Sequence, residues 1–268
     1  MQGAKEQERS GLLYNCYTER WHSTEQFVAE HAFSRIISGE LHLFLDGQTK
    51  VLKTGDTYLV RRNQLAKATK LPALDGDFKS ITIYLTQEPL RAFSIKHQIT
   101  QQAVYNDNTL LVIPDNAFIN SFFQSLLPYF NEQSAINNEL IETKTTEAIL
   151  LLQKICPDKC DWLFDFREPG KIDLEAFMQQ NYMFNVSIPR FAQLTGRSLA
   201  AFKRDFEKVF HSSPSRWLQH RRLSEAHYLI KEKGRKPASV YLEVGFEDLS
   251  HFSFAFKKQF GYNASTVA

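Results

Sequence analysis

The chain has 268 residues, 43% of them hydrophobic and 23% charged, which suits two domains with cores of their own. The formal net charge of +2 conceals an asymmetry: residues 1–156 carry 15 Lys and Arg against 17 Asp and Glu, residues 157–170 carry 2 against 4, and residues 171–268 carry 15 against 9. The polar opening from Met1 to Arg9, the lack of any apolar run near the ~18 residues of a membrane span, and an odd count of three cysteines argue against a signal peptide, a membrane helix and a disulfide scaffold. A cytoplasmic protein with a basic, polyanion-binding C-terminal third is the expectation.

In chain order, residues 30–105 read as short strands. Leu41, Leu43 and Leu45 alternate with Glu40, His42 and Phe44, the period of a half-buried strand. Asp46-Gly47 supplies a tight hairpin turn, Val51-Leu52 continues beyond it, and Gly55-Asp56 marks a second turn before Thr57–Val60. Ser80–Leu85 alternates again. Strands at this spacing predict a small antiparallel barrel or sandwich. The period then lengthens to that of a helix: Phe118, Ile119, Phe122, Phe123, Leu126, Leu127 and Phe130 form one stripe, and residues 138–155 a second, stopped by Pro157. Residues 157–170, with two prolines and a glycine, read as a linker, and helical signals dominate from Lys171 onward.

The basic third contains an internal repeat. Residues 202–215 (FKRDFEKVFHSSPS) align with residues 252–265 (FSFAFKKQFGYNAS) at an offset of 50, matching Phe202, Phe206, Lys208, Phe210 and Ser215 with Phe252, Phe256, Lys258, Phe260 and Ser265. Phenylalanine at i, i+4 and i+8 gives each helix one aromatic face for a core and one polar face left over. A short helical stretch and a glycine precede both copies. Ile188–Thr195 leads to Gly196 and then Ser198 as a cap, and Ala238–Val244 leads to Gly245 and then Asp248 as a cap. Short helix, glycine turn, second helix is the helix-turn-helix pattern, here in tandem. Ser213-Pro214 should open a connecting helix running to about Lys233, ~30 Å long at ~1.5 Å per residue.

These residues resemble the AraC/XylS family of transcription regulators. The carriers are Phe191-Ala192, Gly196, Phe202, Phe206, Arg222-Leu223, Ala226, Gly245-Phe246, Ser250, Phe252, Phe256-Lys257-Lys258 and Phe260-Gly261, spread over residues 171–268. The resemblance implies an α+β protein: a cupin-like β-barrel with two packing helices over residues 1–156, the linker 157–170, and an all-α DNA-binding domain over residues 171–268, with two helix-turn-helix motifs joined by a long helix. It implies a non-enzymatic activator, with double-stranded promoter DNA and RNA polymerase as partners, a homodimer, and a small-molecule or protein effector at the N-terminal domain.

By the same resemblance the base-reading positions fall on Ala200, Lys203 and Arg204 in the first motif, and on Leu249, Ser250, Ser253 and Phe254 in the second. Arginine can bridge guanine O6 and N7, and lysine can reach either acceptor. Where the family often has arginine, Phe254 can touch a thymine methyl or be buried against a neighbour, so the second motif either reads weakly or positions the protein. Tyr241 replaces the small residue that Ala192 provides, and Ala264 stands where proline is usual. Arg197, Lys208, Lys257 and Lys258 are the phosphate candidates, with Arg216 and Arg221 behind them. Arg222, in the connector's patterned stripe, should pack or pair within the domain.

In the N-terminal half, Ile37–Glu40, Asp46-Gly47 and Leu52–Asp56 carry a looser resemblance to the cupin-like domains of that family. A metal-dependent cupin enzyme is the competing reading. His31, His42 and His97 include no His-x-His pair, so neither metal nor another cofactor is expected. Cys156 and Cys160 form a lone C-x3-C, short of the four ligands of a structural zinc site. Arg61–Lys67 could meet an anionic ligand or a partner, or form a solvated loop.

Overall fold

A computed structural model describes residues 4–9, 11–23, 26–74, 76–99, 109–131, 137–157 and 160–266. The chain forms two compact units, one reaching to Arg167 and the other made of Glu168–Ala268 with the short stretch Thr24–Gln26.

The first unit holds two antiparallel sheets. Strands β1 (Ala4–Arg9), β2 (Leu12–Tyr17), β5 (His31–Ser38), β8 (Thr57–Val60), β10 (Phe78–Leu85) and β11 (Leu110–Ile113) form a six-stranded sheet in the order β1-β2-β10-β5-β8-β11. Strands β3 (Trp21–His22), β6 (Glu40–Leu45), β7 (Gln48–Lys53) and β9 (Gln64–Leu71) form the second in the order β3-β9-β6-β7, and β4 (Phe27–Val28) pairs with β9. The expected alternation holds in β6, where Leu41, Leu43 and Leu45 are buried. Leu45 pairs with Gln48 across a two-residue turn in which Asp46 and Gly47 both have positive φ, the twist-matched hairpin turn. The two sheets remain separate among the described residues, so a closed barrel is not what the registers give.

Between the sheets, Tyr17, Ile36, Leu41, Leu43, Leu52, Tyr58 and Phe78 make one core. The other face of the six-stranded sheet offers Leu12, Phe33, Leu59, Ile81, Ile83 and Leu85 to helices α1 (Gln87–Lys96), α2 (Ala117–Leu126) and α4 (Asn138–Ile155). A short α3 (Pro128–Asn131) follows a break at Leu127. Strand β10 is buried on both faces, with Ile81, Ile83 and Leu85 toward the helices and Phe78 in the core between the sheets, and the polar Thr82 of its alternating run is buried as well.

Three expectations need correction. Residues 30–105 are not all strand. Gln87–Lys96 is helical because Pro89 falls in the tolerated first turn while Leu90 and Phe93 face the core; residues 100–105 lie outside the described residues. The expected linker 157–170 is not all linker: Cys160, Trp162, Leu163, Phe164 and Phe166 are buried around a 3-10 turn at Asp161–Phe164, while Asp158 and Lys159 lie outside the described residues. The basic stretch Arg61–Lys67 is not a solvated loop either, since Gln64–Leu71 is strand. Arg61 pairs with Asp165 at 3.0 Å, and Arg62 donates to the carbonyls of Asp165 and Arg167 at 3.3 and 2.9 Å. These arginines fasten the 160–167 segment.

The second unit is all helix: α5 (Leu174–Asn181), α6 (Ile188–Leu194), α7 (Leu199–Phe210), α8 (Pro214–Lys231), α9 (Pro237–Glu243) and α10 (Leu249–Phe260). Among the described residues no helix of either unit is long and apolar enough to cross a membrane.

Candidate nucleic-acid interface

Both copies of the repeat fold alike. In the first, Gly196 N donates to Gln193 O at 3.0 Å and Arg197 N to Ala192 O at 2.9 Å; in the second, Gly245 N donates to Leu242 O at 3.2 Å and Phe246 N to Tyr241 O at 2.9 Å. This is the Schellman ending of a helix, and it requires the left-handed conformation that Gly196 (φ 64°) and Gly245 (φ 96°) adopt. Ser198 then accepts from Ala201 N at 3.3 Å to open α7, and Asp248 accepts from His251 N at 2.7 Å to open α10. Helices α7 and α10 end at matching left-handed residues, His211 (φ 50°) and Gly261 (φ 84°). The second turn is one residue longer, so the offset is 49 at the glycines and 50 from the caps onward.

The aromatic stripes go inward as expected. Phe206 and Phe210 pack on Trp217 of α8 with ring centres 5.6 and 4.5 Å apart. Phe252 and Phe256 join Leu223, Ala226, Ile230, Val240, Val244 and Phe246 in a second core. Tyr241 is half-buried against that core, and Ala264 is buried in it. Helix α8, 18 residues and ~27 Å long, thus serves both motifs.

Arg222 fixes this arrangement. Its Nε donates to Tyr182 O at 2.7 Å, Nη1 to Gly245 O at 3.0 Å and Nη2 to Phe184 O at 2.8 Å. Burial lowers its pKa to about 10, so it stays charged at neutral pH. Arg221 beside it pairs with Glu225 at 3.3 Å and lies over the Tyr182 ring at 4.3 Å.

Outward from these cores stand Ala200, Lys203 and Arg204 on α7, and Leu249, Ser250, Ser253 and Phe254 on α10, all exposed. Lys208, Lys257 and Lys258 are exposed as well. Phe254 is 70% exposed, so of the two fates open to it burial is not the one adopted. Ser253 turns its hydroxyl back to Leu249 O at 2.8 Å.

Arg197 departs from its expected role as a phosphate contact. Its side chain is only 8% exposed and is spent internally: Nε on Asp205 at 3.2 Å, and Nη1 on the carbonyls of Ile172 and Thr195 at 3.0 and 2.7 Å. The reason lies in the turn. Aligned on the glycines, Arg197 occupies the place of the buried Phe246, the position after the Schellman glycine that packs against its own helix. Asp205 collects Arg197, Lys171 at 3.6 Å and Arg204 at 3.6 Å, and the Arg197 bond foremost holds its carboxyl below the usual range. Sequence reading missed this acidic hub; matching Arg197 to Phe246 would have exposed it.

The histidines weighed as metal ligands are on separate elements. His31 is buried on β5, His42 Nε2 lies 3.4 Å from Glu40 on β6, and His97 stacks on Phe93 with ring centres 4.1 Å apart. Among the described residues no group of three or more His, Cys, Asp or Glu side chains is placed to hold a metal. Cys156 and Cys160 are buried, and burial pushes the Cys160 thiol up to about 12.

Comparison with known proteins adds two matches along the chain. A family described as ExsA N-terminal regulatory domain matches residues 31–156, and a family described as helix-turn-helix domain matches residues 191–268. The chain is 26% identical over 250 residues to the thermoregulatory protein LcrF of Yersinia pestis, covering 89% of this chain and 90% of LcrF. It is 25% identical over 252 residues to the virulence regulon transcriptional activator VirF of Yersinia enterocolitica, with 89% and 90% covered. One solved structure of ToxT from Vibrio cholerae aligns over 96% of this chain and 97% of its own at 13% identity, with a TM-score of 0.44.

Proposed function

The chain belongs to the AraC family of DNA-binding transcription regulators, and we propose that it activates transcription by reading a promoter sequence with its two helix-turn-helix units. The observation that carries this reading is the outward pair Lys203 and Arg204 on α7, a helix whose other face is committed to a core through Phe202 and Phe206. Cationic donors on the exposed face of the second helix of such a motif are what guanine O6 and N7 call for. Lys208, Lys257 and Lys258 act on phosphates, where each contact releases counterions and steepens the salt dependence. Ala200, Leu249, Ser250, Ser253 and Phe254 complete the base-facing set.

The sheet-bearing unit serves as the regulatory and dimerisation half, cupin-like in its two antiparallel sheets, and takes a small-molecule or protein effector. The assembly is a cytoplasmic homodimer that engages RNA polymerase. The family is one of regulators rather than enzymes, and no catalytic step is assigned.

Selection of duplexes from a random pool by the full-length protein tests this. The wild type should enrich one sequence pattern at physiological salt. Lys203→Ala combined with Arg204→Ala should relax it at guanine positions of one half-site, each good bidentate contact being worth ~1–3 kcal/mol of discrimination. No enrichment at all, or an enriched pattern that the double variant reproduces unchanged, would refute the reading.

A further inference from the structure

The offset of 50 residues places Phe254 in the position of Arg204. Both point away from the cores, Phe254 with 70% of its surface exposed and the Arg204 side chain with 67%. The same register sets Ser253 against Lys203 and Ser250 against Ala200. The two reading faces therefore differ in kind. Helix α7 presents two cationic donors. Helix α10 presents an aromatic ring at the centre of its outward face, with Ser250 one turn before it and Lys257 and Lys258 one turn after. The Ser253 hydroxyl already donates a hydrogen bond to Leu249 O.

Nothing inside the unit asks for this phenylalanine, because Phe252, Ala255 and Phe256 fill the core side of α10. An apolar ring 70% exposed at the centre of an outward helix face, with two lysines one turn away, suits a partner that is both polyanionic and locally apolar. The DNA major groove combines these properties at one feature, the C5-methyl group of thymine. Resting on the reading that the helical unit docks on duplex DNA, we infer that the second helix-turn-helix recognises thymine through the Phe254 ring, with Lys257 and Lys258 on adjoining phosphates. The two units then read different chemistry: hydrogen-bond acceptors under α7 and a methyl group under α10.

The test uses the full-length protein and the duplex it enriches from a random pool. Each thymine is replaced in turn by deoxyuridine, which removes the methyl and leaves the pairing edge intact. In the half-site that Lys203→Ala with Arg204→Ala leaves unchanged, one thymine should weaken binding about fourfold when replaced, the worth of one buried methyl-sized group. Phe254→Ala should bind the thymine and uracil duplexes equally at that position. Phe254→Arg, which restores the residue type of Arg204, should change the enriched base there to guanine. Both variants should keep the wild-type unfolding midpoint, since the ring is outside the core.

Equal binding of thymine and uracil throughout that half-site overturns the inference and leaves DNA binding standing. So does a uracil penalty that persists in Phe254→Ala. Loss of binding to a protein partner in Phe254→Ala, with the DNA profile unchanged, reassigns the ring to that partner and overturns it too. Failure to enrich any duplex overturns the underlying reading as well.

Discussion

Arg222 on the connecting helix donates to the carbonyl of Gly245, in the turn of the second motif, at 3.0 Å. The same guanidinium reaches Tyr182 O and Phe184 O, so one side chain joins α8, the end of α5 and the second helix-turn-helix. A planar fork with a permanent charge can satisfy three converging carbonyls where a lysine ammonium cannot match their directions. Arg222→Met keeps the stem's packing and removes all three bonds. It should destabilise the helical unit by about 3 kcal/mol, roughly 1 kcal/mol for each carbonyl left unpaired. Urea unfolding of wild type and variant measures this, and a change below about 1 kcal/mol would mean the carbonyls find other partners.

Gly245 makes the complementary prediction. A Cβ there would sit 2.7 Å from Met183 O and 3.0 Å from Arg222 Nε, on a backbone already at φ 96°. Gly234, at φ 63°, has open space around the same atom. Gly234→Ala should therefore cost only the left-handed strain of ~1–2 kcal/mol, whereas Gly245→Ala should cost clearly more and disturb the Arg222 clasp. Equal losses in thermal unfolding would show that the backbone beside Gly245 yields freely.

The helical unit was legible because its signals are local. Phe202, Phe206 and Phe210 declare a face by spacing alone, and Ser198, Asp248, Gly196 and Gly245 mark helix ends within a few residues. The sheet unit was legible only in part. β6 alternates because one of its faces is buried, whereas the alternating Ser80 and Thr82 of β10 are buried too, so polarity there does not mark a solvent face. The strands before residue 30 hold few apolar residues in a row, and apart from the β1–β2 pair their partners lie far along the chain, as in Tyr17 against Phe78, Trp21 against Lys70 and Phe27 against Leu65. The stretch 157–170 carries linker composition, yet Trp162 and Leu163 are core residues, and Arg61 and Arg62 bond Asp165 and Arg167 beside them across roughly 100 positions, which no local pattern shows. At the interface, outward positions followed from the helical period, while Arg197 misled because its charge said surface and its turn position said core.

That distinction can be measured. Arg197→Ala removes a nearly buried guanidinium from Asp205 and from two carbonyls. It should lower stability and leave the salt dependence of DNA affinity at its wild-type slope. Lys258→Ala, at an exposed position, should do the opposite: an unchanged unfolding midpoint and a slope of log K against log salt shallower by about 0.9. Affinity titrations over a range of salt, paired with unfolding curves, separate the two. A reduced slope in Arg197→Ala would restore that residue to the phosphate contacts.

In the sheet unit, His31 is fully buried with its ring 5.1 Å from Trp162, and its Nδ1 accepts from Arg62 N at 3.1 Å. That bond requires the neutral ring. Burial first, then the nearby Arg62 and Arg61 charges, lowers its pKa to about 3 from an ordinary 6.5. A depressed histidine means that the unfolded chain binds the proton more readily, so stability falls as pH drops below about 6.5 and continues to fall toward pH 3, by up to ~1.4 kcal/mol per unit. Between pH 7 and pH 5 the wild-type sheet unit should lose about 2 kcal/mol that His31→Gln, which does not titrate, retains. Denaturant unfolding of both proteins at the two pH values, followed by Trp162 fluorescence, reports the difference. Parallel losses in wild type and variant would place the ordinary titration of His31 back in the folded state.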